Sequence, residues 1–262
     1  MTCPEYPKTD TLYTRGDDHV ITNVIRRPEF LVPAKWLVTE KIDGTNIRIS
    51  LEFQECSDCN NEDCESVFHE DPHPGGDWVM VIRGRTSKAQ IPTMLFEHLQ
   101  KTFTAEAMKA LWLDDKQYGI TLYGEGYGGG INKGGGQYTA KTKGGAASFR
   151  LFDVFIGETW LDRENVEDIA TKLGIETVPL LGTNWNINDM VEMVREGFYS
   201  IVADEEGAED HFAEGIMAFT NPPLFNSRGK RLMFKLKTKD FKGVPSYTRT
   251  DAPTSVTLTE GS

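Results

Sequence analysis

At 262 residues the chain can bury a sizeable core in one domain, with room for a small appendage. Hydrophobic residues make up 39% and charged residues 26%, an ordinary globular balance, and no apolar run reaches the length of a membrane span. The net charge of −12 argues against a protein that coats nucleic acid non-specifically, though a local basic groove is compatible with it.

Residues 1–35 carry polar segments and four prolines, Pro4, Pro7, Pro28 and Pro33, and are expected to wrap the domain rather than form its core. The opening Met1-Thr2-Cys3-Pro4-Glu5 has no basic region followed by an apolar core, so no secretory signal is expected. Trp36-Leu37-Val38 starts a strand. Glu40-Lys41-Ile42-Asp43-Gly44-Thr45-Asn46 follows, and the alternation from Ile47 to Phe53 predicts a half-buried second strand. Lys41 thus falls in a short break between strands, where Gly44 lets the backbone turn.

Residues 54–77 look like an insertion. Its spacing is Cys56-x2-Cys59-x4-Cys64-x4-His69, three thiols and a His within fourteen residues. That set can close a tetrahedral zinc site, or it is an acidic loop with incidental cysteines. Four cysteines, three of them clustered, do not make a disulfide framework, and a reducing, cytoplasmic setting fits them.

Trp78 to Ile82 is an apolar strand ending at Arg83-Gly84-Arg85. Ile91 to Leu113 reads as helix, with Leu95, Leu99, Phe103, Met108, Leu111 and Trp112 near helical spacing and a break near Phe103-Thr104. Tyr118 to Tyr123 predicts a strand that runs into a glycine-rich loop from Gly124 to Gly136. Neither a dinucleotide fingerprint nor a Gly-Lys-Ser/Thr phosphate loop is present; the stretch is either a plain flexible loop or a loop over bound nucleotide or a nucleic-acid end, with Lys133, Lys141 and Lys143 near phosphates. Ser148 to Ile156 is a strand. Glu164 to Leu173 is a helix capped by Asp162 and stopped by Gly174, Thr177 to Leu181 a short strand, and Asn188 to Arg195 a helix ended by Gly197. A polar, acidic connection covers residues 199–213. Strands return at Gly215 to Phe219 and Arg231 to Leu236, and residues from about Thr248 read as a polar, mobile tail. The short turns between most strands point to an α+β fold.

Charge is unevenly placed: from Arg228 to Lys242 there are seven Lys or Arg and one acid, Asp240. Lys235 and Lys237 fall on one side of a strand, which suggests a phosphate-facing surface.

Read together, Lys41-Ile42-Asp43-Gly44, Arg83-Gly84-Arg85-Thr86, Leu122-Tyr123-Gly124-Glu125-Gly126, Leu151-Phe152-Asp153-Val154, Glu214-Gly215-Ile216-Met217 and Lys235-Leu236-Lys237 resemble, in order, the motifs of the covalent nucleotidyltransferases: DNA ligases, RNA ligases and capping enzymes. Asn46, where DNA ligases and capping enzymes usually carry Arg, and the Tyr-Gly-Glu-Gly-Tyr-Gly run make it similar to the RNA ligase 2 branch, which includes small phage enzymes acting in a host cytoplasm. The resemblance implies an ATP-grasp-like domain of antiparallel sheets flanked by helices, over residues 1–247. It implies an ATP-dependent RNA ligase using Mg2+ or Mn2+. Lys41 would take up AMP, pass it to a 5′-phosphate end and let a 3′-hydroxyl displace it, on single strands or a nicked duplex. Lys235 and Lys237 would grip the α-phosphate, Glu125 bind the ribose, Phe152 stack on the adenine and Glu40 help read it. Asn46 would belong to the nucleotide site. Glu214 would bind the metal, and Arg85, with Arg83 as competitor, the acceptor-end phosphate. A minimal DNA ligase and a non-catalytic RNA-end binder are the alternatives. For chemistry, Lys41 must be neutral, and Lys235 and Lys237 are expected to lower its pKa across the cleft.

Overall fold

Alternating sequence builds two five-stranded sheets in the computed structural model, which describes residues 4–17, 20–55, 76–111, 119–132, 138–140, 145–208 and 210–242. In chain order the strands are β1 (Asp10–Thr11), β2 (Tyr13–Arg15), β3 (Ile21–Ile25), β4 (Trp36–Lys41), β5 (Thr45–Glu55), β6 (Gly76–Gly84), β7 (Ile120–Tyr127), β8 (Ser148–Ile156), β9 (Thr159–Trp160), β10 (Leu180–Trp185), β11 (Gly215–Phe219) and β12 (Met233–Lys237). The helices are α1 (Thr93–Thr102), α2 (Ala105–Ala110), α3 (Arg163–Leu173), α4 (Ile187–Glu196), α5 (Ile201–Glu205) and α6 (Thr238–Lys242). The first sheet has the order β1-β12-β11-β4-β10 and the second β6-β5-β7-β8-β9, while β2 and β3 form a hairpin. Every pairing is antiparallel except β1 with β12. The α+β architecture expected from the short turns is the one observed. None of the described helices is long and apolar enough to cross a membrane.

Each sheet buries one apolar face. On the first, Trp36, Val38, Ile216, Ala218, Phe234 and Leu236 pack with Met190, Val191 and Val194 of α4. On the second, Ile47, Ile49, Leu51, Leu122 and Val154 pack with Leu95 and Leu99 of α1, Met108 of α2, and Val166 and Ala170 of α3. Burial of this kind is worth roughly 1.5–3 kcal/mol per large side chain. The break between α1 and α2 falls where expected, because Phe103 is extended and Thr104 caps α2 through Ala107 N–H.

Five expectations need correction. Residues 1–35 do enter the core: Leu12, Tyr13 and Phe30 are buried against the first sheet. The polar residues of β5 are also buried: Arg48 donates to the Gly84 carbonyl, Ser50 donates to Glu52, and Glu52 accepts from Arg83. The strand placed over Tyr118 to Tyr123 continues through Tyr127, since Gly124 and Gly126 lie flat against Phe149 and Leu95 instead of opening a loop. The short strand placed at Thr177 to Leu181 runs instead from Leu180 to Trp185, and the acidic connection 199–213 contains α5. The Cys/His stretch, the tail, Trp112, Tyr118, Lys133, Lys141 and Lys143 lie outside the described residues.

Candidate active site

Lys41 is the last residue of β4, and within Ile42-Asp43-Gly44 the chain crosses from the first sheet to β5 in the second. Ile42 anchors the crossing, buried with Tyr127, Tyr138 and Val178. Asp43 N–H donates to Tyr138 Oη (3.2 Å), Gly44 N–H to Glu125 Oε1 (3.2 Å), and Asn132 Nδ2 donates to the Gly44 carbonyl (2.9 Å). The glycine is required less by the turn than by crowding: a Cβ at Gly44 would stand 2.4 Å from the Gly126 carbonyl oxygen.

Across the first sheet, register sets Lys41 opposite Gly215 and Gly215 opposite Lys237, with Thr39, Met217 and Lys235 in the row two residues away. Gly215 has φ +152°, and a Cβ there would fall 2.0 Å from the Leu236 carbonyl oxygen. Glu214, just before it, bridges the two lysines: Lys41 Nζ donates to Glu214 Oε2 at 2.5 Å and Lys237 Nζ donates to Oε1. The side chains of Lys41, Glu214 and Lys237 are 18%, 10% and 19% exposed, so the three charges meet in a half-dry setting where Coulomb coupling is strong.

This arrangement corrects the expected electrostatics of Lys41. Desolvation pushes its pKa down, but Glu125 and Glu214 outweigh it, so the ammonium is held above its usual range. The lysine that is depressed is Lys235, brought down to about 8 by burial and by the charges of Lys237 and Lys41. Glu125 is raised to about 7, first by burial and then by Glu214, against the opposing pull of Lys41. Glu214 is lowered, since its two lysines overcome its desolvation.

Lys41, Lys235 and Glu125 open onto a cavity of about 370 Å³ between the two sheets. Lys41, Lys235, Arg85, Glu125 and Asn46 are among the residues that line it, as are Phe152, Asp153, Val178, Met217, Phe219, Met233 and Arg231. Phe152 reaches it through a bulge: Tyr123 pairs with Asp153 and Gly124 with Leu151, leaving Phe152 as the extra residue. A bulge re-aims a side chain, and here it leaves the ring half-exposed at the cavity wall. Asn46, which lines the same cavity, has its Oδ1 buried without a hydrogen-bond partner.

Arg83 and Arg85 separate clearly. Arg83 donates both terminal nitrogens to Glu52, whereas Arg85 is exposed and lines the cavity. Glu40 is among the residues that line the cavity. Side chains alternate along β4, so its carboxylate lies on the face away from Lys41, where it accepts from Ser200 Oγ (2.5 Å), Ile201 N–H (2.9 Å) and Val202 N–H (3.3 Å). That carboxylate caps the start of α5. Burial raises its pKa despite these bonds.

Sequence reasoning missed the Asp153–Arg231 pair, Met217, and the cavity residues Tyr6, Pro7, Lys8 and Thr9. Asp153 stood inside a quoted motif and Arg231 inside the basic stretch; nothing in residues 4–9 signalled a site. The basic stretch is also less open than its composition suggested, as Lys230 pairs with Asp10, Arg231 with Asp153 and Lys237 with Glu214.

Among the described residues no cluster of three or more His, Cys, Asp or Glu is placed to hold a metal alone, and the zinc candidates Cys56, Cys59, Cys64 and His69 fall outside them. Glu214, with Glu125 coupled to it, supplies hard carboxylate oxygens of the kind magnesium shares with substrate phosphates. The unpartnered Asn46 oxygen, the lysines and the apolar part of the cavity fit a nucleotide.

No curated protein matches the sequence. Among solved structures, an RNA ligase of Naegleria gruberi with pyrophosphate is similar, with a TM-score of 0.51 and 15% identity over 90% of this chain and 58% of that one. A mutant of that ligase with ATP and Mn gives 0.52 and 16% over 89% and 57%, and another with ATP and Mn gives 0.51 and 14% over 92% and 64%. The chain therefore spans about three fifths of those proteins, and at such identity the likeness shows the fold. The family model described as RNA ligase matches residues 34–237, well over half of the sequence, and the chain belongs to that RNA ligase family.

Proposed function

We propose that this protein is an ATP-dependent RNA ligase that joins a 5′-phosphate end to a 3′-hydroxyl through a lysyl-AMP intermediate, with residues 1–247 as its adenylyltransferase domain. The observation that carries the reading is the bridge from Glu214 to Lys237 and to Lys41, the last of which lines a nucleotide-sized cavity, in a chain of the RNA ligase family.

Lys41 Nζ attacks the α-phosphorus of ATP; an N–P bond forms, the bond to pyrophosphate breaks, and the amine proton leaves to solvent. In the free protein Lys41 is held as an ammonium by Glu125 and Glu214, so it is a stored nucleophile. A divalent metal on Glu214, when bound, neutralises that carboxylate and the phosphate oxygens, and the same charge disfavours the ammonium. Lys237 and Lys235 then face negative charge building on the phosphate. Lys235, already depressed to about 8, gains most from such a partner. Phe152 stacks on the base, Asn46 and Glu125 hold the sugar side, and Arg85 receives the phosphate of the RNA end. AMP then passes from Lys41 to the 5′-phosphate of RNA, and the 3′-hydroxyl expels it as the strands join. The site at about residues 54–77 is proposed as an insertion between β5 and β6, which pair up to Glu55 and Gly76.

The test is a panel of 5′-phosphorylated RNA and DNA, single-stranded and nicked, with ATP, GTP or NAD and with magnesium or manganese. Joining of RNA with ATP is expected. Joining of DNA alone would make it a DNA ligase, and nucleotide binding with no joining of any strand would make it a binder of RNA ends.

A further inference from the structure

Residues 4–12 precede the part of the chain that matches the family model, yet they run across the mouth of the cavity from one sheet to the other. On the second sheet, Tyr123 Oη donates to the Pro4 carbonyl (2.7 Å), Ser87 N–H donates to Glu5 Oε1 (3.1 Å), and Tyr6 Oη donates to Asp153 Oδ2 (2.9 Å). The Tyr6 ring also meets Phe152 edge-on at 5.0 Å and lies 5.1 Å from Tyr123 and 5.6 Å from Trp160. On the first sheet, Asp10 and Thr11 pair with Phe234 and Lys235, and Leu12 N–H donates to the Lys235 carbonyl at 3.2 Å.

Between these anchors lie Pro7, Lys8 and Thr9, which line the cavity with Lys41, Lys235 and Arg85. A lysine on a flexible stem normally samples solvent at large. Here the backbone on both sides is tied down, so Lys8 is confined to the cavity mouth. It is exposed, and no acidic side chain among the described residues pairs with it. Its charge is felt at Lys235. Four cations, Lys8, Lys41, Lys235 and Arg85, thus line a space where Glu125, Glu214 and Asp43 are the acids felt at Lys41, an arrangement in which a polyanion completes the balance.

We propose that Lys8 is a nucleotide-binding residue that contacts the phosphate tail of ATP, and that Tyr6 positions it by clamping residues 4–9 onto Asp153 and Phe152. This rests on the ligase reading above and adds a residue that the family match does not include.

The test measures ATP affinity by titration calorimetry on the full chain, in Lys8→Ala, Lys8→Arg, Tyr6→Ala and the Lys8→Ala/Tyr6→Ala double variant, alongside the melting temperature of each. Lys8→Ala is expected to weaken ATP binding roughly tenfold, the worth of a lost charge-assisted contact. Lys8→Arg should recover most of the affinity. Because Lys8 is exposed, melting should hardly move. Tyr6→Ala should weaken binding by a similar factor, and the double variant by little more than either single one, since both act on one contact. Unchanged affinity in Lys8→Ala, no recovery in Lys8→Arg, or strictly additive losses would each overturn the proposal. If the unaltered protein bound no ATP, the ligase reading itself would fall, and with it this one; ATP binding that ignores Lys8 would leave the ligase reading standing.

Discussion

The two ends of the cavity use charge in opposite ways. At the Phe152 end, Asp153 and Arg231 are almost wholly buried, 7% and 6% exposed, and satisfy each other, with Tyr6 adding a hydrogen bond and Trp160 lying 4.7 Å beneath the guanidinium. At the Lys41 end, two lysines share one carboxylate, a third lysine is depressed to about 8, and Glu125 is raised to about 7. The first end is finished without a ligand. The second is not, and its mismatched charges are what a phosphate and a metal would settle. Buried charge that is fully paired shapes a pocket; buried charge left in surplus marks where chemistry is done.

Breaking the second end should abolish activity without harming the fold. Lys41→Ala should cut adenylate formation more than about 1,000-fold, as loss of a covalent nucleophile does, with the melting temperature little changed; radiolabel transfer and thermal melting check the two halves. Lys237→Met should lower the rate about 100-fold by removing a donor to the developing phosphate charge. It should also raise the pKa of Lys235, since one of its repelling charges is gone, and amine-reagent labelling of Lys235 against pH would read that shift. Breaking the first end should do the reverse. Asp153→Ala strands a buried Arg231 and should cost about 3–5 kcal/mol, a fall in Tm of roughly 10 °C, visible in apo protein by calorimetry.

The smallest effect separates the two ends by pH. Glu125 has a folded pKa near 7, above its ordinary value, so ionising it costs stability as pH rises from about 4.5 through 7. Glu125→Gln should therefore melt higher than the unaltered protein at pH 8 and about equal to it at pH 5. A gain of the same size at both pH values would contradict the raised pKa.

Much of this was legible in the sequence because covalent catalysis needs a few residue types in a fixed order. Lys41, Glu125, Phe152, Glu214, Lys235 and Lys237 were all named from their motifs, and all are found around one cavity except that Lys237 and Glu214 reach it through Lys41. The alternation of β5 and the capping signals of α3 located elements correctly, since period and cap chemistry are local. What sequence did not carry was which face a residue would meet. Glu40 sits next to Lys41 yet points to α5, a helix hidden in a stretch that reads as acidic connection. The bulge that turns Phe152 inward is a mismatch of two strands, invisible in either one. The pKa of Lys41 was expected to fall from burial and its lysine neighbours; the nearby carboxylates of Glu125 and Glu214 decide the sign. Residues 4–12 gave no signal because their role depends wholly on contacts with β7, β8 and β12.

The central claim is that Lys41 carries AMP. The direct measurement is mass spectrometry of peptides from protein incubated with ATP and magnesium across pH 6 to 9. The account predicts AMP attached to the peptide holding Lys41. The yield at fixed short times should rise with pH, because an ammonium held above its usual pKa is freed only as pH climbs. AMP on a different lysine, or none at any pH with ATP bound, would contradict it.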